Sequence, residues 1–260
     1  MAGLPAWPRQ YVAMGNYRTR IYAQYATAFQ GSNLEFDCAQ AEAWGRAYGY
    51  YFRGWFPERK VASIVDLACG GGKLLYRLKQ THYTRLCGVD ISPEQVHVAR
   101  QVVPEVVEGD VLDFLAAHPA AFDLMAGLDI IEHFSKDEVL NFLDGCFSGL
   151  KPGGRLILQT PNAESPWGSA IRYGDFSHEV CFAPHSLAHL LTLCGFVAIE
   201  AREAGPVPWG YSLSSTLRYV LWRFVRLFMM AGNFVETGSP GSGIFTRVFL
   251  ISATKPEAAV

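Results

Sequence analysis

The stretch VASIVDLACGGG, residues 61–72, decides the fold that this sequence predicts. It opens with a short and nearly continuous apolar run, which is typical of a strand buried on both faces of a parallel sheet. The glycines behind the run let the backbone turn tightly and approach a ligand closely. The helical pattern KLLYRLKQ follows at once, so the free N–H groups of a helix start would face the same turn. We therefore predict a strand, a ligand-binding turn and a helix in that order.

The same alternation continues through the middle of the chain. Further apolar strands are predicted at 84–90, 105–110, 121–128 and 155–161, and capping residues open helices at Ser92 and Ser135. Strands that alternate with helices predict an α/β fold with a doubly wound, mostly parallel sheet. Because ligands on such sheets bind at the carboxyl ends of the strands, the residues just after each strand are the candidates for function.

Acidic side chains stand just after the second and third predicted strands. Asp90 ends the second strand about twenty residues beyond the glycine turn, where an acid can hold a ribose diol. Asp110 follows the third strand, where a carboxylate can accept from an adenine amino group; on its own it could equally be a helix cap. A nicotinamide dinucleotide would require the pattern GxGxxG, and the sixth position counted from Gly70 is Leu75.

Five stretches of the chain together resemble a known family of enzymes. They are DLACGGG at 66–72, GVDISPEQV at 88–96, EGDVLDFL at 108–115, FDLMAGLDIIEHF at 122–134 and LKPGGRLILQTPN at 150–162. As a set they resemble the motifs of class I S-adenosylmethionine-dependent methyltransferases, although Ala68 stands where that family usually has a glycine. The resemblance implies S-adenosylmethionine as the cofactor. It also implies a Rossmann-like methyltransferase fold with a seven-stranded, mostly parallel sheet and an N-terminal helical lid, to which residues 206–243 would add a C-terminal helical insertion.

The resemblance also assigns residues to the cofactor. Gly70 and Gly72 would pass close to its methionine part, and Leu128 would lie near the sulfonium. Asp90 would hold the ribose hydroxyls, and Asp110 with the residue after it would frame the adenine. The full set of expected cofactor residues is Tyr22, Asp66, Ala68, Gly70, Gly72, Asp90, Ile91, Asp110, Val111 and Leu128.

Two groups of polar residues could supply a general base, which helps a hydroxyl acceptor to lose its proton. His178 is the first candidate, because histidine is well poised for proton transfer near neutral pH. Asp175 and Glu179 could orient its ring. His133 is the second candidate. The alternatives are structural: His178 would cap the helix near Pro184, and His133 would anchor the helix that follows it.

The spacing of Asp129, Glu132 and His133 resembles quinone-pathway O-methyltransferases, in which such residues hold a divalent cation. Carboxylates combined with one imidazole can bind Mg²⁺ or Mn²⁺. The same Glu-His pair also occurs in methyltransferases without a metal. The prediction is therefore a site without metal, and a cation at these three residues is the alternative.

The loop after the fifth strand bears on the methyl acceptor. Residues 161–187 resemble bacterial methyltransferases found with surface-polysaccharide and glycan biosynthesis, and their Trp, Tyr, Arg, Asp and His side chains suit sugars. The prediction is O-methylation of a sugar or of a glycan intermediate, which could be lipid-linked. Two alternatives stay open: a quinol-type or other small-molecule O-methyltransferase, and a catalytically silent scaffold protein that binds the cofactor.

A second unusual segment is LSSTLRYVLWRFVRLFMMA, residues 213–231. At about 100° per residue its leucines, valines and phenylalanines share one wide face, and its arginines share the other with Tyr219 and Trp222. This pattern suits a helix that lies on an anionic membrane. The alternative is a helix that packs on its own domain or forms a homodimer.

The composition bears on the binding partners and the cellular location of the protein. The chain carries a formal net charge of −2 and six cysteines, of which no pair has metal-ligand or redox spacing. Nothing here indicates nucleic acid as a partner, because a nucleic-acid binder usually shows a strongly basic face. The cysteines predict a reducing, cytoplasmic protein, at the inner face of the membrane if residues 213–231 bind lipid.

The expected organisation has four parts. A helical lid at 1–57 precedes a cofactor-binding core at 58–205, an amphipathic helical insertion at 206–243, and a final strand and tail at 244–260. In the lid, Tyr17, Tyr22 and Tyr25 are the candidates for closing over the cofactor.

Overall fold

The architecture is that of a computed structural model, which describes residues 17–29, 31, 34–208 and 211–257. The strands are β1 (Ser63–Leu67), β2 (Arg85–Asp90), β3 (Val106–Glu108), β4 (Phe122–Leu128), β5 (Leu150–Pro161), β6 (Val197–Glu203) and β7 (Val248–Thr254). They form one sheet in the order β3-β2-β1-β4-β5-β7-β6.

The α-helices alternate with these strands along most of the chain. They are α1 (Tyr17–Tyr22), α2 (Cys38–Tyr51), α3 (Lys73–Gln80), α4 (Pro93–Ala99), α5 (Val111–Ala117), α6 (Lys136–Gly149), α7 (Gly168–Arg172), α8 (Pro184–Leu193) and α9 (Leu213–Thr237). A π-helical turn spans Tyr25–Phe29, and a 3-10 turn spans Ile131–His133. None of the helices in the described part of the chain combines the length and apolarity needed to cross a membrane.

The pairing of the strands places a crevice at one edge of the sheet. β1 through β5 run parallel, and β7 pairs antiparallel with both β5 and β6. The strand order reverses at β1, which pairs with β2 on one side and with β4 on the other. Ligands of doubly wound sheets bind outside the carboxyl ends of the strands at such a reversal.

Two apolar cores cover the two faces of the sheet. One includes Phe114, Phe142, Leu143, Phe196 and Phe249. The other includes Phe52, Trp55, Leu75, Leu78 and Val96. β1 is buried at every position between them, which explains its continuous apolar pattern, because helices cover both faces of a parallel sheet.

The predicted α/β fold is confirmed, and three element bounds differ. β5 begins at Leu150, and its pairing with β4 is irregular before Arg155. β7 begins at Val248 and not at 244, because the preceding carbonyls, including that of Thr246, accept from the side-chain amide of Asn162. α9 continues beyond residue 231 to Thr237, where Gly238 ends it with a left-handed φ of 74°.

Candidate active site

A cavity of about 350 Å³ opens at the carboxyl ends of β1, β2 and β4, where the strand order reverses. The expected cofactor residues that line it are Tyr22, Ala68, Gly70, Asp90, Ile91, Asp110, Val111 and Leu128. Asp66 and Gly72 are described but do not line it. The cavity is therefore the candidate site for a nucleoside ligand.

The turn after β1 presents backbone to the cavity. Ala68 and Gly70 both have a left-handed backbone, with φ of 55° and 52°. A Cβ at Gly70 would approach Gln95 Oε1 no closer than 3.9 Å, so the glycine leaves open space for a ligand. Ala68 holds a conformation that favours glycine, which costs about 1 kcal/mol.

Gly72 and Asp66 support this turn from behind. Gly72 has φ of 87°, and a Cβ there would lie 3.2 Å from Cα of Ala99, so its lack of a side chain lets α3 pack against α4. Asp66 is buried within β1, and burial together with the nearby Asp90 raises its pKa well above the usual range. The structure thus separates these two residues from the other expected cofactor residues.

Asp90 joins the turn after β1 to the start of α4. Its Oδ2 accepts from the amide of Gly70 at 2.8 Å, and its Oδ1 accepts from the amide of Ser92 at 2.9 Å. Burial raises the pKa of Asp90, and these backbone hydrogen bonds oppose that rise. Each carboxylate oxygen has a second lone pair, so Asp90 retains acceptor capacity for the hydroxyls of a ribose.

Asp110 begins α5 at another edge of the cavity. Its Oδ1 accepts from the amide of Leu112 at 2.7 Å and caps the helix. Both Asp110 and Val111 also line the cavity. The two readings of Asp110, helix cap and adenine acceptor, are therefore compatible.

The N-terminal segment covers the cavity and is tied down by an ion pair. Arg18 donates to both carboxylate oxygens of Glu138 at 2.7 Å and to the carbonyl of His133 at 2.8 Å. The guanidinium lowers the pKa of Glu138 to about 2. Because Arg18 anchors α1 to α6, Tyr22 and Tyr25 are held at the cavity wall.

The two polar groups that the sequence singles out meet at this edge of the sheet. The amides of Glu179 and Val180 donate to the carbonyl of Glu132 at 2.8 and 3.1 Å, which ties the loop before α8 to the 3-10 turn after β4. This tie brings the ring centroids of His133 and His178 to 4.8 Å from each other.

His133 is a neutral imidazole with a fixed orientation at the cavity. Burial and the neighbouring His178 lower the pKa of His133 to about 4. Ser177 Oγ lies 3.0 Å from Nδ1 of His133 and 2.5 Å from Oδ1 of Asp175. Because an ionised carboxylate only accepts, the Ser177 hydroxyl donates to Asp175, and Nδ1–H of His133 donates to Ser177. Nε2 of His133 then keeps a lone pair that can accept a proton.

The ionised state of Asp175 follows from its surroundings. Burial alone would raise its pKa, but hydrogen bonds from the hydroxyl and the amide of Ser177, together with the nearby His133 and His178, lower it overall. Its second oxygen accepts from the hydroxyl of Tyr25 at 3.2 Å. Asp175, Ser177 and His133 therefore form a hydrogen-bonded chain that ends at the cavity.

The carboxylates expected to orient His178 contact other groups. Asp175 orients His133 through Ser177, and Glu179 accepts from a tyrosine hydroxyl of α1. Nδ1 of His178 is buried, and no described group forms a hydrogen bond with it. Of the two candidate histidines, His133 is therefore the one whose ring nitrogen Nδ1 has a hydrogen-bond partner among the described residues.

Three residues of this site could hold a divalent cation. One ligand atom from each of Glu132, His133 and His178 lies within 4.8 Å of the others. Oε1 of Glu132 and Nδ1 of His178 are buried without a hydrogen-bond partner among the described residues. Buried polar atoms normally have partners, so this pair fits a cation. Asp129, which the sequence pattern suggests as a ligand, is not in this group; its carboxylate accepts from Gln159 at 2.8 Å.

The sequence patterns assign no individual role to three residues of the site: Arg18, Ser177 and Gln159. Gln159 accepts from the hydroxyl of Tyr48 at 2.8 Å and donates to Asp129. Ser177 carries a weak signal, because it stands inside the polar loop that the sequence singles out. Its partner lies 44 residues earlier in the chain, and no local pattern reveals that contact.

Comparison with known proteins identifies the domain. Residues 64–154 match the family model described as a methyltransferase domain. A S-adenosylmethionine-dependent methyltransferase of Archaeoglobus fulgidus has a similar fold, with a TM-score of 0.61 and 20% identity over 90% of this chain and 99% of that one. Human N-acetylserotonin methyltransferase, solved with S-adenosylmethionine, has a TM-score of 0.56 and 16% identity over 92% of this chain and 60% of that one. The predicted class I methyltransferase fold is confirmed.

Sequence relatives match a shorter region. The ubiquinone biosynthesis O-methyltransferase of Xylella fastidiosa is 35% identical over 109 residues, which are 39% of this chain and 42% of that protein. That of Cereibacter sphaeroides is 25% identical over 173 residues, 58% of this chain and 68% of that protein. The match thus spans less than half of the Xylella protein. The matched methyltransferase domain agrees with the prediction, and the human structure with a similar fold holds S-adenosylmethionine, the predicted cofactor. The resemblance to glycan-biosynthesis enzymes is not confirmed.

Proposed function

We propose that this chain, which carries a class I methyltransferase domain, transfers a methyl group from S-adenosylmethionine to a phenolic hydroxyl of a quinol-type acceptor. One observation carries the proposal. His133 is a neutral imidazole at the cavity, and its Nδ1 is engaged by Ser177 and, through it, by Asp175. This arrangement leaves Nε2 to accept the proton that a hydroxyl loses.

The residues of the site suit an in-line displacement at carbon. S-adenosylmethionine, when bound, supplies a methyl group on a positively charged sulfur that leaves readily. The acceptor oxygen would bond to the methyl carbon as the carbon–sulfur bond breaks, and the electron pair of the broken bond would remain on sulfur. His133 takes the phenolic proton at Nε2, and Asp175 stabilises the resulting imidazolium through Ser177. The closure tied by Arg18 and Glu138 excludes water and aligns the reactants.

The acidity of the acceptor must match the base. A base with a pKa of about 4 is weak, and a phenol, with a pKa of about 10, is a far stronger acid than a sugar hydroxyl. The relatives from Xylella and Cereibacter are named ubiquinone biosynthesis O-methyltransferases. Both observations favour a quinol-type acceptor over the sugar that the loop sequence suggests.

A sugar or glycan hydroxyl is the second candidate acceptor. Between β5 and α8 the rings of Trp167, Tyr173 and Phe176 are exposed by 43%, 80% and 83%. Exposed aromatic faces can pack against the C–H faces of a sugar ring. This observation keeps the glycan acceptor in the comparison of substrates.

A divalent cation, if bound, would change which group activates the acceptor hydroxyl. Glu132, His133 and His178 would hold the cation, and it would lower the pKa of a hydroxyl bound to it. Burial and the nearby Asp129 raise the pKa of Glu132 well above its usual range, so cation binding would displace a proton from this carboxyl. If a cation activated the hydroxyl, the rate of methyl transfer would therefore also depend on the loss of a proton from Glu132. Activation by His133 alone would not have this dependence.

The test compares acceptors with the purified full chain. A catechol and a nucleotide-linked sugar are each incubated with methyl-labelled S-adenosylmethionine, with and without a chelator. We expect label on the catechol, retained after chelation and lost in His133→Ala, while calorimetry shows unchanged cofactor affinity in that variant.

Each of the other outcomes would support a different conclusion. Transfer to the sugar alone would replace the phenolic acceptor by the second candidate. Loss of transfer on chelation, restored by Mg²⁺, would assign the cation site at Glu132, His133 and His178. Binding of S-adenosylmethionine with no transfer to either acceptor would favour the catalytically silent scaffold.

A further inference from the structure

Helix α9 rests on the body of the protein through its polar side. Trp222 Nε1 donates to both carboxylate oxygens of Glu203 at 3.2 Å, and Arg226 lies 3.6 Å from the same carboxylate. Ser215 Oγ donates to the carbonyl of Val207 at 2.7 Å. Ser215 is the one buried residue of α9, whose residues are all described. The contacts that hold the helix thus include hydrogen bonds, an ion pair and a ring contact between Trp222 and Trp167, whose centroids lie 6.1 Å apart.

The apolar side of α9 faces solvent. Its exposed residues are Leu213, Leu217, Val220, Leu221, Phe224, Val225, Leu227, Phe228, Phe234 and Val235. Leu213 is 92% exposed and Phe228 is 80% exposed. Neither apolar core of the described chain contains a residue of α9. The helix therefore packs on its own domain, as one sequence alternative expects, but it does so through its polar side and leaves the apolar face exposed.

The helix itself is well formed, so its exposed face is not a frayed end. Ser212 caps the start by accepting from the amide of Ser215 at 3.0 Å, and Gly238 ends the helix in a left-handed conformation. At about 1.5 Å per residue the helix is roughly 37 Å long. An apolar stripe of this length greatly exceeds the isolated apolar side chains that are ordinary on a surface.

Charges flank the apolar stripe on both sides. Residues 213–235 contain three arginines and no acidic residue. Arg226 faces the body, whereas Arg218 and Arg223 are exposed. At about 100° per residue, Arg218 falls at one border of the apolar face and Arg223 at the other. Neither of these two forms an ion pair within the described part of the chain.

We propose that α9 lies in the surface of an anionic lipid membrane, with its apolar face in the acyl region and Arg218 and Arg223 at the phosphates. Long basic side chains at the borders of an apolar helix reach the headgroup level in this way. Lipid phosphates supply the negative charge that the helix lacks. A second copy seated on the same face would instead bring further arginines to the seam, without an acidic residue of α9 before Glu236 to pair with them.

The test measures co-sedimentation of the full chain with vesicles of phosphatidylcholine, with or without phosphatidylglycerol. We expect binding to the anionic vesicles that weakens as salt rises, because exposed charges are screened. The double variant Phe224→Ser/Phe228→Ser should lower the partition coefficient at least about 100-fold. The double variant Arg218→Glu/Arg223→Glu should lower it at least about tenfold on anionic vesicles.

The matched control is Leu193→Ser, which removes an apolar side chain that is 73% exposed at the end of α8. This variant should bind vesicles as the unchanged chain does. Calorimetry with S-adenosylmethionine reports whether each variant is folded, and it does not depend on methyl transfer. The membrane proposal therefore stands or falls separately from the proposed function.

Three results would overturn the proposal. One is absence of vesicle binding by the unchanged chain. Another is binding that the two phenylalanine substitutions leave intact. The third is a stable dimer in sedimentation equilibrium that those substitutions dissociate, which would assign the face to a second copy. Equal binding to uncharged vesicles would overturn the role given to Arg218 and Arg223.

Discussion

The cavity region and helix α9 differ in where their apolar side chains lie. At the cavity, polar groups such as Asp175, Ser177 and His133 lie inward and bind one another, while apolar side chains fill the cores on either side of the sheet. On α9, Trp222 faces inward and Phe228 faces solvent. The comparison teaches that, around the cavity, the folded chain itself buries its apolar side chains. The apolar face of α9 stays exposed in the folded chain, and the proposed membrane contact would cover it.

The largest effect is expected from His133→Ala at the cavity. Loss of the base should lower the turnover number by about 100-fold to 10,000-fold with little change in cofactor affinity. Phe228→Ala in α9 should leave turnover of a water-soluble acceptor unchanged. Initial rates with labelled cofactor, together with calorimetry, measure both. Equal losses in the two variants would erase the distinction between the regions.

Truncation of phenylalanines sharpens the contrast in stability. Phe142→Ala in the core should lower the free energy of unfolding by about 3–5 kcal/mol, through lost apolar contacts and a cavity. Phe228→Ala should change it by no more than about 0.5 kcal/mol, because an exposed ring loses little burial. Urea denaturation followed by circular dichroism measures both. A large loss at Phe228 would mean that the apolar face of α9 is covered by the chain itself.

Asp90→Ala should lower the affinity for S-adenosylmethionine by about 100-fold or more. The substitution removes the acceptor for the ribose and leaves the amides of Gly70 and Ser92 without partners, each a loss of one to a few kcal/mol. Titration calorimetry reports the change. Asp90→Asn, which keeps one acceptor oxygen, should lose less. Unchanged affinity in Asp90→Ala would remove the ribose assignment.

The pH dependence of turnover should follow the lowered pKa of His133. Its base form is the neutral imidazole, which predominates above the pKa of about 4. Single-turnover rates should therefore stay level from neutral pH down to roughly pH 5 and fall by about half near pH 4. A fall centred near 6.5, the ordinary value for histidine, would show that the base is exposed or that another histidine acts.

The smallest effect is expected at the turn after β1. Ala68→Gly should raise the free energy of unfolding by about 1 kcal/mol, because glycine adopts the left-handed conformation of residue 68 without strain. Thermal unfolding measures the shift. Gly70→Ala is the matched opposite change and should destabilise the turn, since it places a Cβ on a backbone with φ of 52°.

The order of strands and helices follows from patterns that short segments carry by themselves. The apolar run at 61–68 and the glycines after it predict a buried strand and a turn, because periodicity and glycine content act locally. The cofactor side of the cavity follows as well. Asp90 ends β2 and Asp110 follows the neighbouring parallel strand β3, so any sheet built from these strands brings them to one edge.

The catalytic side of the cavity is less predictable, because it depends on where the loop before α8 packs against the 3-10 turn after β4. Asp175 stands three residues before His178, and the sequence therefore favours that histidine. The amide bonds from Glu179 and Val180 to the carbonyl of Glu132 turn the loop so that Ser177 meets His133 instead. Contacts between residues distant in sequence decide such a register, and no local pattern encodes them.

The sequence alone determined the α/β class, the glycine turn, the acids at the strand ends and the two-faced character of residues 213–231. Only the tertiary structure decided that His133 is the oriented histidine and that the apolar face of α9 points outward. Periodicity shows that a helix has two faces but not which one the body takes. That choice rests on Glu203, whose carboxylate meets Trp222 and Arg226 and so turns the phenylalanines toward solvent.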